Sequence, residues 1–404
     1  MVNLIESFRS MKIVYCLPQL FHPGGIERIV TIKANYLADV YGHDVTIIVT
    51  NQEGKDPYYR LLNKIKLIDL GIDYESAKHL PLLKRLVVRH RNKNEHKKKL
   101  SAILNNLKAD VVVSTFTAEA SILPKIKDGS KKVLETHFCR HYNTLFARNF
   151  HFPWYIRLLY KIQEIAEEKF IITKYDSFVV LTEEDKSRWE KDFNKVTNIP
   201  NALTFDDNDL PVAKLIAKKA IAVGRLDSQK SFDKLIRIWK KVLIRVPDWT
   251  LDIFGTGCDI DKLRRLIADL NVQNSITIHD PDPNIKDRYL ESSLLLMTSS
   301  YEGWGLVLTE AMQLGVPVVA YACPCGPKDI IRDGIDGYLL EETDENGFIE
   351  KAARLMQNDE MRETFGNNAR RDVKRYSLNR VMPLWQNLFE SLFEYEKDRN
   401  THDS

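Results

Sequence analysis

The chain of 404 residues is 44% hydrophobic and 28% charged, the composition of a soluble globular protein, which excludes collagen-like and disordered readings. At roughly 150 residues per domain the length predicts two or three domains, two being the better fit, and no stretch reaches the ~18 uninterrupted apolar residues that span a bilayer. The net charge of +3 hides an asymmetry: residues 1–200 carry 32 Lys and Arg against 23 Asp and Glu, and the rest carries 27 against 33. A basic first half points to a polyanionic partner, either anionic lipid or nucleic acid, with ordinary surface charge as the plainer alternative.

In chain order, Lys12–Leu17 (KIVYCL) reads as a strand, Phe21 to Gly25 as a turn, and Ile26 to Tyr41 as a helix with apolar residues at helical spacing. Val45–Thr50, Ile65–Leu70, Asp110–Ser114, Lys132–Glu135 and Phe178–Thr182 read as further strands, with a helix at Leu100–Leu107. Continuous runs of β-branched residues between helices predict a parallel sheet covered on both faces. Phe205–Leu210 (FDDNDL) and Pro211 read as an interdomain linker. A second series follows: strands at Ala220–Val223, Thr250–Phe254, Ile276–His279, Leu294–Thr298 and Val316–Tyr321, with helices at Phe232–Leu243 and Ile260–Leu270. The fold class is therefore α/β, with two Rossmann-like, doubly wound parallel-sheet domains facing a cleft that holds the ligand. The domains are expected at 1–204 and 205–378, and 379–404 is expected to be an amphipathic helix packing back on the first domain.

The segment Ser299 to Leu340 carries the most chemistry. It leaves a strand, crosses a turn at Gly303 and Gly305, and enters a helix that Gly315 stops. Such a turn presents backbone N–H groups at the positive end of a helix, an anion site. Glu302 and Glu310 flank it, carboxylates suited to accept from sugar or ribose hydroxyls. Ala222–Lys230 (AVGRLDSQK) ends a strand with Gly224 and supplies Arg225 and Lys230, two cations for a diphosphate. Gly255-Thr256-Gly257 falls at another strand end.

The arrangement EGWGLVLTE, with seven residues between Glu302 and Glu310, resembles the E-x7-E motif of retaining glycosyltransferase family four, of the GT-B fold. AVGRL…K, FGTG, Pro200-Asn201 and the GVPVVA run at 315–320 support the resemblance, which covers about Met11 to residue 390. The resemblance implies that Glu310 binds the nucleotide ribose and Glu302 a hydroxyl of the donor sugar. It implies that the backbone of Gly303, Trp304, Gly305 and Leu306 lines the sugar–diphosphate pocket, with Arg225 and Lys230 on the diphosphate, and that Gly24 and Gly25 approach from the other domain. Gly224 and Gly255 shape the nucleotide side, and His137 resembles the family's histidine facing the donor sugar. Glu27 reads as a helix N-terminal charge. No metal and no cofactor is expected beyond the donor; Asp280-Pro281-Asp282 and Asp207-Asn208-Asp209 read as turn and linker pieces rather than metal ligands.

The implied function is transfer of a hexose or N-acetylhexosamine from a nucleotide-diphosphate sugar, UDP before GDP, to a glycan or lipid-linked acceptor of bacterial surface polysaccharide, with retention. Cys323-Pro324-Cys325-Gly326-Pro327 resembles a C-P-x-G-P variant of transferases that build surface glycans. The alternatives are a GT-B-shaped sugar-nucleotide epimerase or a sugar phosphorylase. A nucleic-acid-binding protein would leave Arg225, Lys230, Glu302 and Glu310 without a reason, so no nucleic-acid partner is expected. Lys84–Lys99 and Phe146–Tyr160 are candidates for contact with an anionic membrane. Met1–Ser10 lacks the pattern of a secretory signal and the five scattered cysteines read as free thiols, so the expected location is the cytoplasm, with peripheral attachment at the inner membrane face as an option.

Overall fold

The protein is described by a computed structural model over residues 9–150, 152–205 and 209–402. Asp206, Asp207 and Asn208 of the expected linker, and most of Met1–Ser10, lie outside the described residues.

The first sheet contains β1 (Lys12–Leu17), β2 (Asp44–Val49), β3 (Lys66–Asp69), β4 (Val111–Ser114), β5 (Lys131–Glu135), β6 (Ser177–Val180) and β7 (Val196–Asn198), ordered β3-β2-β1-β4-β5-β6-β7. The second contains β8 (Lys219–Val223), β9 (Thr250–Phe254), β10 (Ile276–His279), β11 (Leu294–Met297), β12 (Val318–Tyr321) and β13 (Gly337–Leu340), ordered β10-β9-β8-β11-β12-β13. Every pairing between these strands is parallel. Central strands such as β4 and β12 are buried along their whole length, which is why their sequences are unbroken apolar runs.

Helices cover both faces. The first sheet is flanked by α1 (Gly25–Asp39), α2 (Leu82–Leu107), α3 (Tyr142–Asn149), α4 (Trp154–Phe170) and α5 (Glu183–Trp189). The second is flanked by α6 (Phe232–Val242), α7 (Ile260–Asp269), α8 (Ile285–Leu290), α9 (Leu306–Gln313), α10 (Pro327–Ile330), α11 (Glu345–Gln357) and α12 (Asp359–Asp372). Caps set several of these ends: Thr182 accepts from Asp185 N, Asp344 from Gly347 N and Asn358 from Met361 N. The helix expected at 100–107 is the end of the much longer α2, because the basic run 84–99 is itself helical, with Leu100 and Leu104 as its buried anchors.

A final helix, α13 (Leu378–His402), crosses back to the first sheet's side. Gln386 Oε1 lies 2.7 Å from His43 Nε2, and Trp385 lies beneath the Lys33 ammonium of α1 at 4.1 Å. Strand order reverses between β1 and β4 in one sheet and between β8 and β11 in the other. The crevices at these two switch points are where such sheets bind ligands.

Candidate donor site

Most of the residues singled out in the sequence fall at those switch points, with His137 and Gly255 one strand away. Gly24 and Gly25 follow β1 and open α1; Gly224 to Lys230 follow β8; Ser299 to Gly305 follow β11 and open α9; His137 follows β5. Gly305 is the N-cap of α9 at φ +101°, a left-handed conformation that favours glycine. The two domains touch here. A Cβ on Gly25 would stand 2.9 Å from Leu306 Cδ1, and one on Gly303 would stand 1.9 Å from the His137 carbonyl oxygen.

At the mouth of α9, Lys230 Nζ donates to Glu302 Oε1 at 2.5 Å, with both side chains largely buried. Glu302 N is held by the Pro324 carbonyl at 2.9 Å, so the Cys323–Gly326 turn fixes the carboxylate's backbone. Gly326, at φ +99°, has no room for a Cβ beside Trp304 O. The Trp304 indole is buried edge-on against Tyr376 at 4.8 Å. Arg225 stands apart from this pair: two-thirds exposed, it donates to Gln229 Oε1 at 2.7 Å and lies 3.3 Å from Asp227. Gly255 packs its Cα against the Gly224 carbonyl, which accounts for glycine there by packing alone.

Glu310 is buried and already held by three donors. Arg28 Nη1 of α1 lies 2.6 Å from Oε1, Thr204 Oγ1 3.1 Å from Oε1, and Tyr289 OH of α8 3.0 Å from Oε2. Burial, and secondarily the Glu310 charge, drives the Tyr289 hydroxyl's pKa far up, so it stays a donor. Arg28 also lies over the Tyr59 and Phe205 rings, at 5.6 and 5.0 Å. The orientation of the Glu310 carboxylate is therefore set in advance by residues of both domains.

His137 has a buried side chain whose Nε2 stands 3.5 Å from Glu135 Oε1 and has no hydrogen-bond partner. Burial pushes its pKa down to about 4, with Lys33 adding to the shift and Glu135 opposing it. Beneath it, Lys33 Nζ reaches both oxygens of the fully buried Glu135 within 2.5 Å. Glu27 folds back so that its Oε2 fills the space a Gly24 Cβ would take, accepts from Gln19 Nε2 at 3.0 Å, and has its pKa raised by burial. Asp282 is committed to Arg288 and to Asn284 N, and Asp207 lies outside the described residues.

Sequence reasoning missed Arg28, Thr204 and Tyr289 around Glu310, and Lys33 and Glu135 beneath His137. A cation one turn past Gly24-Gly25 was the one local signal, for Arg28; the others depend on chain segments far apart. It also missed the aromatic bridge Tyr142–Tyr301, 5.9 Å between centroids, which joins α3 to the residue before Glu302.

Residues 212–372 match the family described as Glycosyl transferases group 1. The match lies within the second domain, and the two parallel-sheet domains together share the GT-B architecture of the solved structures the chain resembles. Among its relatives, the chain is 26% identical to an uncharacterized glycosyltransferase of Haemophilus influenzae, over 93% of this chain and 99% of that protein. It is 30% identical to the poly(ribitol-phosphate) alpha-N-acetylglucosaminyltransferase of Staphylococcus aureus, over 55% of this chain and 46% of that protein. Among solved structures, TarM from S. aureus, in a variant bound to Fondaparinux, alpha-GlcNAc-glycerol and UDP, shares the fold with a TM-score of 0.76 at 18% identity, over 94% of this chain and 99% of that one.

Proposed function

We propose that the protein transfers a hexose or N-acetylhexosamine from a nucleotide-diphosphate sugar, UDP before GDP, to a glycan or lipid-linked acceptor, with retention of configuration and without a metal. The observation that carries this reading is the buried Lys230–Glu302 pair at the mouth of α9. A diphosphate arriving there competes with Glu302 for Lys230, leaving Glu302 to accept from a sugar hydroxyl. As the bond from the anomeric carbon to the phosphate oxygen breaks, negative charge grows on the diphosphate. Lys230, Arg225 swinging in from the rim, and the first N–H groups of α9 supply preorganised positive charge, a class of effect that contributes about 3–4 kcal/mol per removed donor. The acceptor oxygen bonds to the anomeric carbon from the same face, and its proton passes to the leaving phosphate. Glu302 needs no nucleophilic role. The matched relatives carry transferase names, which favours transfer over the epimerase and phosphorylase alternatives.

A melting screen of nucleotides, nucleoside diphosphates and nucleotide sugars with EDTA present tests the reading. A ligand at 100 times its Kd stabilises the fold by about 2.7 kcal/mol. UDP or GDP species are expected to raise the melting temperature in EDTA, Glu310→Ala to weaken every ribose-bearing ligand, and Lys230→Ala to weaken diphosphates far more than nucleosides. Loss of all stabilisation in EDTA overturns the metal-free mechanism, and equal losses for nucleoside and diphosphate remove the role of Lys230.

A further inference from the structure

Helix α4 turns an apolar face outward. Trp154, Tyr155, Leu158, Leu159, Ile162 and Ile165 are each 48–70% exposed. At 3.6 residues per turn they occupy one arc of about 140°. The opposite face is the one committed to the protein: Glu164 is buried and accepts from Thr144 of α3 at N and Oγ1, and Tyr160 stacks on Phe152. A contiguous apolar patch of this kind on a folded protein marks an interaction surface.

Charge identifies what covers it. Arg157 and Lys161 border the arc and Lys169 lies within it. Helix α2 carries eight Lys and Arg against one acidic residue, Glu95, and its first turns expose Leu83, Leu86 and Val87. Leu100 and Leu104 of α2 share a core cluster with Ile172, in the turn that follows α4. A second copy joined face to face at this patch would set these cations against their own images, which is unfavourable. An anionic bilayer satisfies both halves of the surface: an aromatic–aliphatic ridge enters the acyl boundary while the flanking cations meet the headgroups.

We propose that α4, flanked by α2, docks this protein on anionic membrane, its outward side chains inserted at the headgroup boundary. The surface differs from the stretch 146–160 suggested by the sequence, because Phe146, Phe150 and Phe152 pack on one another while Trp154, Tyr155, Leu158, Leu159, Ile162 and Ile165 face out. Among the described residues no helix is long and apolar enough to cross a membrane, so this attachment is one of lying on the surface. Docking also brings the bilayer within one helix of the candidate site, through α3 and the Tyr142–Tyr301 contact. It requires no donor and stands apart from the sugar-transfer chemistry.

The test is co-sedimentation of the full chain with vesicles of phosphatidylcholine alone and of phosphatidylcholine mixed equally with phosphatidylglycerol. The wild-type chain is expected to sediment with the anionic vesicles and far less with the neutral ones. The double variant Leu158→Asp, Ile162→Asp is expected to lose about tenfold or more of that binding, and Arg157→Glu, Lys161→Glu to lose the preference for anionic lipid. All four positions are exposed, and the circular dichroism spectrum and melting temperature should be unchanged in both variants, confirming folded protein. Absence of wild-type binding to anionic vesicles overturns the proposal, as does equal binding by Leu158→Asp, Ile162→Asp. A dimer that this variant splits, with no vesicle binding by either form, overturns it in favour of self-association.

Discussion

Replacing Lys33 with methionine removes the cation held against Glu135 at the heart of the first domain. Lys33 is 2% exposed and Glu135 fully buried, with the ammonium within 2.5 Å of both carboxylate oxygens and capped by Trp385 of α13. Stranding a buried charge in this way costs about 3–5 kcal/mol, whereas exchanging both partners for apolar residues of similar volume is close to neutral. Lys33→Met should therefore be destabilised by that amount near neutral pH, and Lys33→Met, Glu135→Leu should recover most of it. Urea denaturation reads both effects. A double variant no more stable than Lys33→Met would refute the buried pair as the controlling interaction. If Glu135 also positions His137, the double variant should keep nucleotide-induced stabilisation while its turnover falls.

Two further predictions concern the interdomain face of the site. His137 is held neutral by burial, so stability is fully present above about pH 6.5 and is lost as pH falls toward 4, by about 3 kcal/mol at 1.36 kcal/mol per unit. His137→Asn should flatten the melting-temperature profile over that window; a profile of unchanged slope would contradict the burial. Gly303→Ala puts a Cβ 1.9 Å from the His137 carbonyl, an overpacking that costs about 1–3 kcal/mol. Thermal melts should show that loss, and a variant as stable as wild type would mean the two loops are not in contact.

Much of the fold was legible because buried parallel strands must be apolar along their whole length, so KIVYCL, VTIIVT and LLLM announce themselves, and glycine marks the turns at their ends. Two strands escaped notice. Val196–Asn198 and Gly337–Leu340 lie at sheet edges, where three or four residues with one face half open carry no such run. The glycines and the two glutamates of the α9 mouth were readable from spacing because one short stretch supplies them. The partners that orient them were not. Arg28 meets Glu310 across 282 positions of chain and Lys33 meets Glu135 across 102; neither pair leaves a local signature, because a charge in a helical pattern looks the same whether it faces water or a distant carboxylate. Likewise α4 shows apolar residues around much of its circumference, and only its packing on α3 decides which of them face outward. Local periodicity and turn chemistry therefore determined the elements and their order, while closure of two sheets around a common cleft decided which charges are buried, which are paired and which surface is left open.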